Sequence, residues 1–185
     1  MMGTVLITGA GGYIGSAAVL RLKERGYSVL TAHRDAVGDF VMDFARPREI
    51  AEMDVPGIDA VVHLVSPKES LLHSDPDAAL AEGLLGIRAI LNFCVRNGIP
   101  RLVYLSSFHV LGIESGSADE NSIPTPKGDY GMAHFLAEQA VAQYTRIGRI
   151  KGSVLRASNV YGMPQPADGP ARWDLIPFSF CRDAV

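Results

Sequence analysis

The residues with the clearest chemical meaning are three glycines near the start of the chain. They lie at Gly9, Gly12 and Gly15 within "LITGAGGYIGSA", after an apolar run typical of a strand and before a run typical of a helix. Such a turn lets backbone N–H groups approach an anion, and the start of the helix adds partial positive charge. We expect Gly9 to form the tight turn, Gly12 to allow close approach and Gly15 to let the helix pack near the sheet. The motif therefore predicts a pyrophosphate site.

A second group of polar residues lies further along the chain. Tyr130 and His134 are four residues apart in "DYGMAH", which places both on one face of a predicted helix. Ser106 and Ser107 end the predicted strand "RLVYLSS", and His109 follows them and could line a substrate cleft. Because the carboxyl ends of parallel strands meet at one edge of a sheet, we expect these residues and the glycine turn to share a crevice.

The composition of the chain argues against several classes of function. The 185 residues carry a net charge of −3 with scattered Lys and Arg, which gives no support for nucleic-acid binding. The spacing of cysteines and histidines predicts no metal site, and Cys94 reads as a buried free thiol, which favours a reducing, cytoplasmic setting. The N-terminus reads as a strand rather than a signal peptide, and no apolar run reaches the roughly 20 residues of a membrane span. We therefore predict no membrane partner.

Strand and helix patterns alternate along the chain. Strands are predicted over 4–9, 27–32, 40–44, 59–65, 101–107 and 152–158, and helices over 13–26, 47–53, 75–98 and 129–148. Gly26 and Gly98 are predicted to end two of the helices, and Ser74 to cap the start of the third. This alternation predicts an α/β fold, a doubly wound parallel sheet of the Rossmann type with helices on both faces.

Five motifs in order resemble the extended short-chain dehydrogenase/reductase family, which includes the nucleotide-sugar epimerases and dehydratases. They are "TGAGGYIGS", "DAVVHLVSP", "LVYLSSFHVLG", "DYGMAH" and "LRASNVYGMP". The resemblance implies an NAD(P)-dependent epimerase or dehydratase acting on a nucleotide sugar. Two alternatives stay open: an NAD(P)-binding protein with little or no catalysis, and a reductase of a non-sugar carbonyl compound.

The resemblance also assigns catalytic roles. Tyr130 would be the acid/base and Ser107 would hydrogen-bond the reacting oxygen. The family's lysine, four residues after the tyrosine, is His134 here; as an imidazolium it could lower the pKa of Tyr130 and reach the cofactor ribose. Gly83 stands where the family has an asparagine that helps to organise this centre. These two departures imply either altered chemistry or weakened catalysis.

By the same resemblance, a set of residues would bind the cofactor: Gly9, Gly12, Tyr13, Ile14, Gly15, Leu64, Tyr130 and His134. His33 occupies the position of the acidic residue that binds the adenosine ribose, and Arg34 follows it. Since a guanidinium can grip a 2′-phosphate with two hydrogen bonds, we expect NADP rather than NAD. Asp35 keeps NAD open. Asp43, with Phe44, would lie beside the adenine ring.

The end of the chain departs from the family pattern. Residues 1–162 would form the cofactor-binding domain and 163–185 only the beginning of a substrate-binding region, so the C-terminal substrate domain would be largely missing. "LIPFSFCRDAV" reads as the start of a helix. The resemblance further implies a homodimer that packs the two long helices against those of a partner.

Overall fold

In the residues that the structure describes, six parallel strands form one sheet. The computed structural model describes residues 2–35 and 37–163, so the predicted helix near the end of the chain lies outside the described residues. The strands are β1 (Thr4–Thr8), β2 (Ser28–His33), β3 (Phe40–Val41), β4 (Ala60–His63), β5 (Arg101–Ser107) and β6 (Lys151–Ala157). Their order across the sheet is β3-β2-β1-β4-β5-β6. The order reverses between β1 and β4, and this switch point is where doubly wound sheets bind ligands.

Within residues 2–35 and 37–163, five α-helices connect the strands. They are α1 (Tyr13–Glu24), α2 (Pro47–Glu52), α3 (Glu69–Ser74), α4 (Pro76–Arg96) and α5 (Asp129–Arg146), and a short 3₁₀ helix, Phe108–Leu111, follows β5. The predicted α/β class and the parallel sheet are confirmed. The short helix α3 was not predicted, and β3 ends at Val41, so that residues 42–44 leave the sheet toward the ligand edge.

Helices cover both faces of the central strands, which explains the continuous apolar runs in their sequences. Side chains alternate along β1. Leu6 packs into the larger core beneath α2, α4 and α5, and Val5 and Ile7 pack into the smaller one beneath α1. Cys94 lies in the larger core as a free thiol, as predicted.

Helix α4 is, in the described part of the chain, the one helix long and apolar enough to cross a membrane. Its apolar side is nevertheless part of the protein core, where Ile87, Ile90 and Phe93 are fully buried. The apolar composition of α4 is therefore explained by core packing.

The start of α4 corrects one prediction. Ser74 is the last residue of α3, and its hydroxyl reaches only the Leu71 carbonyl oxygen at 3.5 Å. Asp75 caps α4 instead, because its carboxylate accepts the Ala78 N–H at 3.0 Å. The predicted endings at Gly26 and Gly98 are consistent with the structure, since both glycines have positive φ directly after a helix.

Candidate functional site

Two adjoining clefts lie along the carboxyl edge of the sheet, and both are lined by Gly9, Gly12 and Ser66. The outer cleft, about 850 Å³, lies over β2 and the residues after β3. The inner cleft, about 440 Å³, lies over β5 and β6. Every predicted site residue lines one of them. The outer cleft holds His33, Arg34, Asp43 and Phe44; the inner cleft holds Tyr13, Ile14, Gly15, Leu64, Ser107, Tyr130 and His134.

The glycine turn has the geometry that the sequence predicts. Gly9 has a φ of 74°, which favours glycine, and its carbonyl oxygen accepts the Gly12 N–H at 3.1 Å. A Cβ on Gly15 would collide with that same carbonyl oxygen, so only glycine lets α1 approach the turn this closely. The turn thus holds the first N–H groups of α1 at the meeting point of the two clefts, where an anion fits.

In the outer cleft, His33 is packed between two glycines. A Cβ on Gly11 would come within 3.1 Å of the imidazole, and one on Gly38 would collide with it. The last residue of β2 therefore presents a ring rather than a carboxylate to this cleft. Arg34 and Lys68 are the basic residues of the lining, and Asp35, Asp43 and Glu82 are the acidic ones.

Asp43 and Phe44 lie where the chain leaves β3. The backbone N–H of Ala45, together with Arg46, keeps the pKa of the Asp43 carboxyl below its ordinary value. Phe44 packs over Gly86 of α4, where a Cβ would lie 3.2 Å from its ring. The pair forms the far wall of the outer cleft.

In the inner cleft, imidazole rings from the 3₁₀ helix and α5 pack against Tyr130. The His134 ring lies 4.7 Å from the Tyr130 ring and the His109 ring 5.4 Å from it, centroid to centroid, both edge to face. Ser107 contacts His109, with 2.9 Å between its Oγ and the imidazole Nδ1. Ser107, Tyr130 and His134 are therefore brought together, and His109 joins them.

His134 is 4% exposed, and its Nδ1 lies 2.8 Å from the hydroxyl of buried Tyr104. If Nδ1 carried the proton, the Tyr104 hydroxyl hydrogen would have no acceptor in this pair. We therefore assign Tyr104 as the donor, which leaves the hydrogen on Nε2. That nitrogen is buried and has no hydrogen-bond partner. A buried orphan donor beside a cleft fits a ligand oxygen, such as a ribose hydroxyl.

The charge of His134 corrects another expectation. Burial lowers its pKa to about 4, against a smaller opposing effect of Glu138. The ring is therefore neutral at neutral pH. It does not supply the positive charge that the family's lysine would carry at this position. Within the described part of the chain, the inner-cleft lining contains no Lys or Arg either.

Glu138, one turn after His134, belongs to a buried network below the cleft. It forms a two-pronged ion pair with Arg156 of β6, at 2.8 Å for the shortest contact, and accepts the Ser106 hydroxyl at 2.6 Å. The charge of Glu138 is thereby paired with Arg156. The network ties α5 to β5 and β6.

The local packing explains why position 83 of α4 is a glycine. A Cβ there would lie 2.9 Å from the Pro67 ring and 3.9 Å from the Ala133 Cβ of α5. The proline after β4 thus fills the space of any side chain at position 83. An asparagine would not fit beside it.

Sequence analysis did not single out Tyr104 or Glu138. Tyr104 lies two residues before Ser106, so strand alternation places both on the same face of β5. That face meets the face of α5 that carries His134 and Glu138. The alternation of side chains along β5 could be read from the sequence. The sequence did not show which helix covers this face of the strand.

Comparison with known proteins agrees with this architecture. The sequence model of the NAD-dependent epimerase/dehydratase family matches residues 5–173. A UDP-glucose 4-epimerase of Rhizobium leguminosarum bv. trifolii is 31% identical over 176 residues, which cover 86% of this chain and 52% of that protein. A 2-alkyl-3-oxoalkanoate reductase of Stenotrophomonas maltophilia is 28% identical over 186 residues, covering 94% of this chain and 53% of that protein. The chain thus spans about half the length of the curated relatives it matches.

Among solved structures, MoeE5 in complex with UDP-glucuronic acid and NAD superimposes with a TM-score of 0.80 at 28% identity. The match covers 97% of this chain and 60% of that one. The similarity extends over nearly the whole chain and therefore includes both clefts.

Proposed function

The chain belongs to the NAD-dependent epimerase/dehydratase family, whose matched relatives are enzymes, and from this membership we propose that it is an NAD(P)-dependent oxidoreductase acting on a nucleotide sugar. The observation that carries the proposal is the meeting of Ser107, Tyr130 and His134 in a cleft that continues into the glycine turn. Similarity to a UDP-glucose 4-epimerase and to a protein that holds UDP-glucuronic acid supports a nucleotide-sugar substrate.

Residues of both clefts fit the dinucleotide. The Gly9–Gly15 turn would hold the pyrophosphate through the N–H groups at the start of α1. The adenosine half would lie in the outer cleft beside Asp43 and Phe44, and the orphan Nε2–H of His134 would donate to a ribose hydroxyl in the inner cleft. When bound, the nicotinamide would accept and return a hydride.

Ser107 and Tyr130 would hold the reacting oxygen of the substrate. Each carries a hydroxyl on the inner-cleft lining, and Tyr130 is 40% exposed there. By the family resemblance, Tyr130 would act as the acid/base that exchanges a proton with that oxygen, and Ser107 would hydrogen-bond it.

Turnover by a Tyr130→Phe variant tests the enzymatic proposal. Wild type and variant are incubated with UDP- and dTDP-sugars and either cofactor, and products and reduced cofactor are measured. We expect the variant to lose about 100-fold or more in kcat, as for removal of a general acid/base. Tyr144→Phe is the matched control, because the Tyr144 hydroxyl binds Asn92 outside both clefts, and its rate should equal that of the wild type.

Two other candidates each have an observation in their favour. The neutral charge of His134 favours a protein that binds the cofactor without catalysis. A reductase of a non-sugar carbonyl compound is suggested by the similarity to the 2-alkyl-3-oxoalkanoate reductase. Tight cofactor binding without conversion of any sugar would favour the first, and conversion of a 3-oxo acid alone would favour the second.

For the cofactor, we propose NADP in preference to NAD. His33 replaces the acidic residue that would favour NAD, and Arg34 lines the outer cleft next to it. The MoeE5 structure holds NAD, so a preference for NAD over NADP is the result that would contradict this proposal.

Titration with both cofactors tests this preference. Arg34→Ala should weaken NADP binding by about 10- to 100-fold, since hydrogen bonds between charged groups contribute roughly 1.5–3 kcal/mol, and should leave NAD binding nearly unchanged. Arg101 is an exposed arginine at the start of β5, at the end of the strand away from the clefts. Arg101→Ala should therefore change the binding of neither cofactor. Equal weakening of both cofactors by Arg34→Ala would contradict a contact with the 2′-phosphate.

A further inference from the structure

The inner cleft has a hydrogen-bonding group whose direction depends on a residue behind it. His134 lines the cleft and is 4% exposed, and its Nε2 has no hydrogen-bond partner among the described residues. A neutral imidazole carries its hydrogen on one of its two nitrogens, so Nε2 is either a donor or an acceptor. The partner of Nδ1 therefore decides which of the two His134 offers to a ligand.

That partner is the hydroxyl of Tyr104 on β5, which lies 2.8 Å from Nδ1. Tyr104 is 3% exposed, and burial raises the pKa of its hydroxyl, so that the hydroxyl keeps its hydrogen and can donate it. Because the imidazole of His134 is buried as well, water does not compete for this hydrogen bond.

Other groups near Tyr104 have hydrogen-bond partners of their own. The ring of His63 stacks on it at 5.9 Å between centroids, but the His63 Nδ1 lies 2.7 Å from the Thr8 hydroxyl. Glu138, one turn further along α5, accepts the hydroxyl of Ser106 at 2.6 Å. These contacts leave the Tyr104 hydrogen to the imidazole on α5.

We propose that Tyr104 is a positioning residue for cofactor binding, because its hydroxyl fixes His134 with the hydrogen on Nε2 and with the ring turned to donate it to a ribose hydroxyl. The inference rests on the proposed function, which supplies the cofactor contact of His134. A lysine at position 134 would need no such partner, since its three N–H groups donate in any rotation about the last bond. Tyr104 and His134 together thus supply the donor that a lysine supplies alone.

Nitrogen-15 NMR of the histidine rings tests the position of the hydrogen in the protein without cofactor. Near pH 7.5 we expect His134, assigned by the loss of its signals in His134→Gln, to have an unprotonated Nδ1 and a protonated Nε2. Tyr104→Phe keeps the ring and removes the hydroxyl, so it should shift the Nδ1 resonance toward that of an acceptor without a donor. A protonated Nδ1 in the wild type, or an unchanged resonance in Tyr104→Phe, would overturn the inference. This arm does not depend on the proposed function.

Calorimetric titration with NAD and with NADP tests the effect on binding. Tyr104→Phe should weaken the better-bound cofactor about 3- to 10-fold, as for the loss of one hydrogen bond, because the donor on His134 is no longer fixed. Tyr144→Phe is the matched control, since it also removes one tyrosine hydroxyl but outside both clefts, and it should bind as the wild type does.

A double-mutant cycle separates positioning from a general loss of packing. In a His134→Lys background, Tyr104→Phe should change the affinity for the cofactor less than twofold, because an ammonium donates without the help of the hydroxyl. Equal weakening in both backgrounds would show that Tyr104 has only a structural role. Urea unfolding confirms that each protein is folded; if His134→Lys is not, the NMR shift and the titration of Tyr104→Phe decide.

Failure of the inference and failure of the proposed function give different results. If the wild type and Tyr104→Phe bind the cofactor equally well, the inference is wrong and the proposed function stands. If the wild type binds neither NAD nor NADP, the proposed function fails and the role in cofactor binding fails with it. The NMR result then still decides whether Tyr104 fixes the hydrogen on Nε2.

Discussion

At the scale of single residues, burial decides what each histidine can do. His63 is 2% exposed and its Nδ1 lies 2.7 Å from the Thr8 hydroxyl. His134 is almost as buried, whereas His109 is open to solvent two residues after β5. Identical side chains along one edge of the sheet therefore differ in role: His63 is a core residue and His134 is a neutral donor.

Buried neutral histidines predict sensitivity to acid. Burial lowers the pKa of His63 to about 3 and that of His134 to about 4. In the unfolded chain both take up protons near the ordinary value of about 6.5. The unfolded state therefore binds more protons as the pH falls from 6.5 toward 4, and the free energy of unfolding decreases over this window. By pH 5 the loss should be on the order of 2 kcal/mol for each histidine.

Urea unfolding at pH 7 and pH 5 measures this loss. His134→Gln should show a smaller difference between the two pH values than the wild type, whatever its stability at pH 7. His73→Gln should show the wild-type difference, because His73 is exposed. Equal differences in wild type and His134→Gln would mean that the imidazole is protonated in the folded protein.

At the scale of elements, the junction between α3 and α4 shows how a helix start is chosen. Both Ser74 and Asp75 are good capping residues by type. Pro76 suits the first position of a helix, because its missing N–H and fixed φ are no disadvantage there, and this favours Asp75 as the cap.

We predict that Asp75→Ala destabilises the protein by about 1 kcal/mol, since it removes the acceptor for the Ala78 N–H. Ser74→Ala should cost less than about 0.5 kcal/mol, as for an ordinary surface substitution. Chemical unfolding of the two variants compares them directly. If Ser74→Ala lost more stability than Asp75→Ala, Ser74 would be the cap of α4, as the sequence suggested.

At the scale of the whole molecule, three elements of the fold meet at Gly83. The loop after β4 supplies Pro67, α4 supplies the glycine and α5 supplies Ala133. The departure at position 83 is thus matched to a neighbour at position 67, and the packing between α4 and α5 depends on both.

A double-mutant cycle tests this match. Gly83→Asn alone should cost about 1–3 kcal/mol through collision with the Pro67 ring. In a Pro67→Ala background the same change should cost clearly less, with a coupling of about 0.5 kcal/mol or more. Unfolding free energies of the four proteins give the coupling, and additive costs would show that the two residues do not compete for space.

Much of the fold and the outline of the site followed from local features of the sequence. Strand and helix periodicity predicted the parallel α/β sheet, and the glycine spacing predicted an anion site between β1 and α1. Such features are readable because they depend on the backbone geometry of a few consecutive residues. The lining of both clefts by the predicted residues follows from the rule that parallel strands end at one edge.

The tertiary structure alone decided the chemistry of the centre. Tyr104 and His134 are 30 residues apart, and Ser106 and Glu138 are 32 apart, so their contacts arise only when α5 packs on β5. The neutral charge of His134 comes from desolvation by the surrounding chain, which no spacing along the sequence reports. Residue type and order determined where the site lies, and burial determined which of its groups can carry charge.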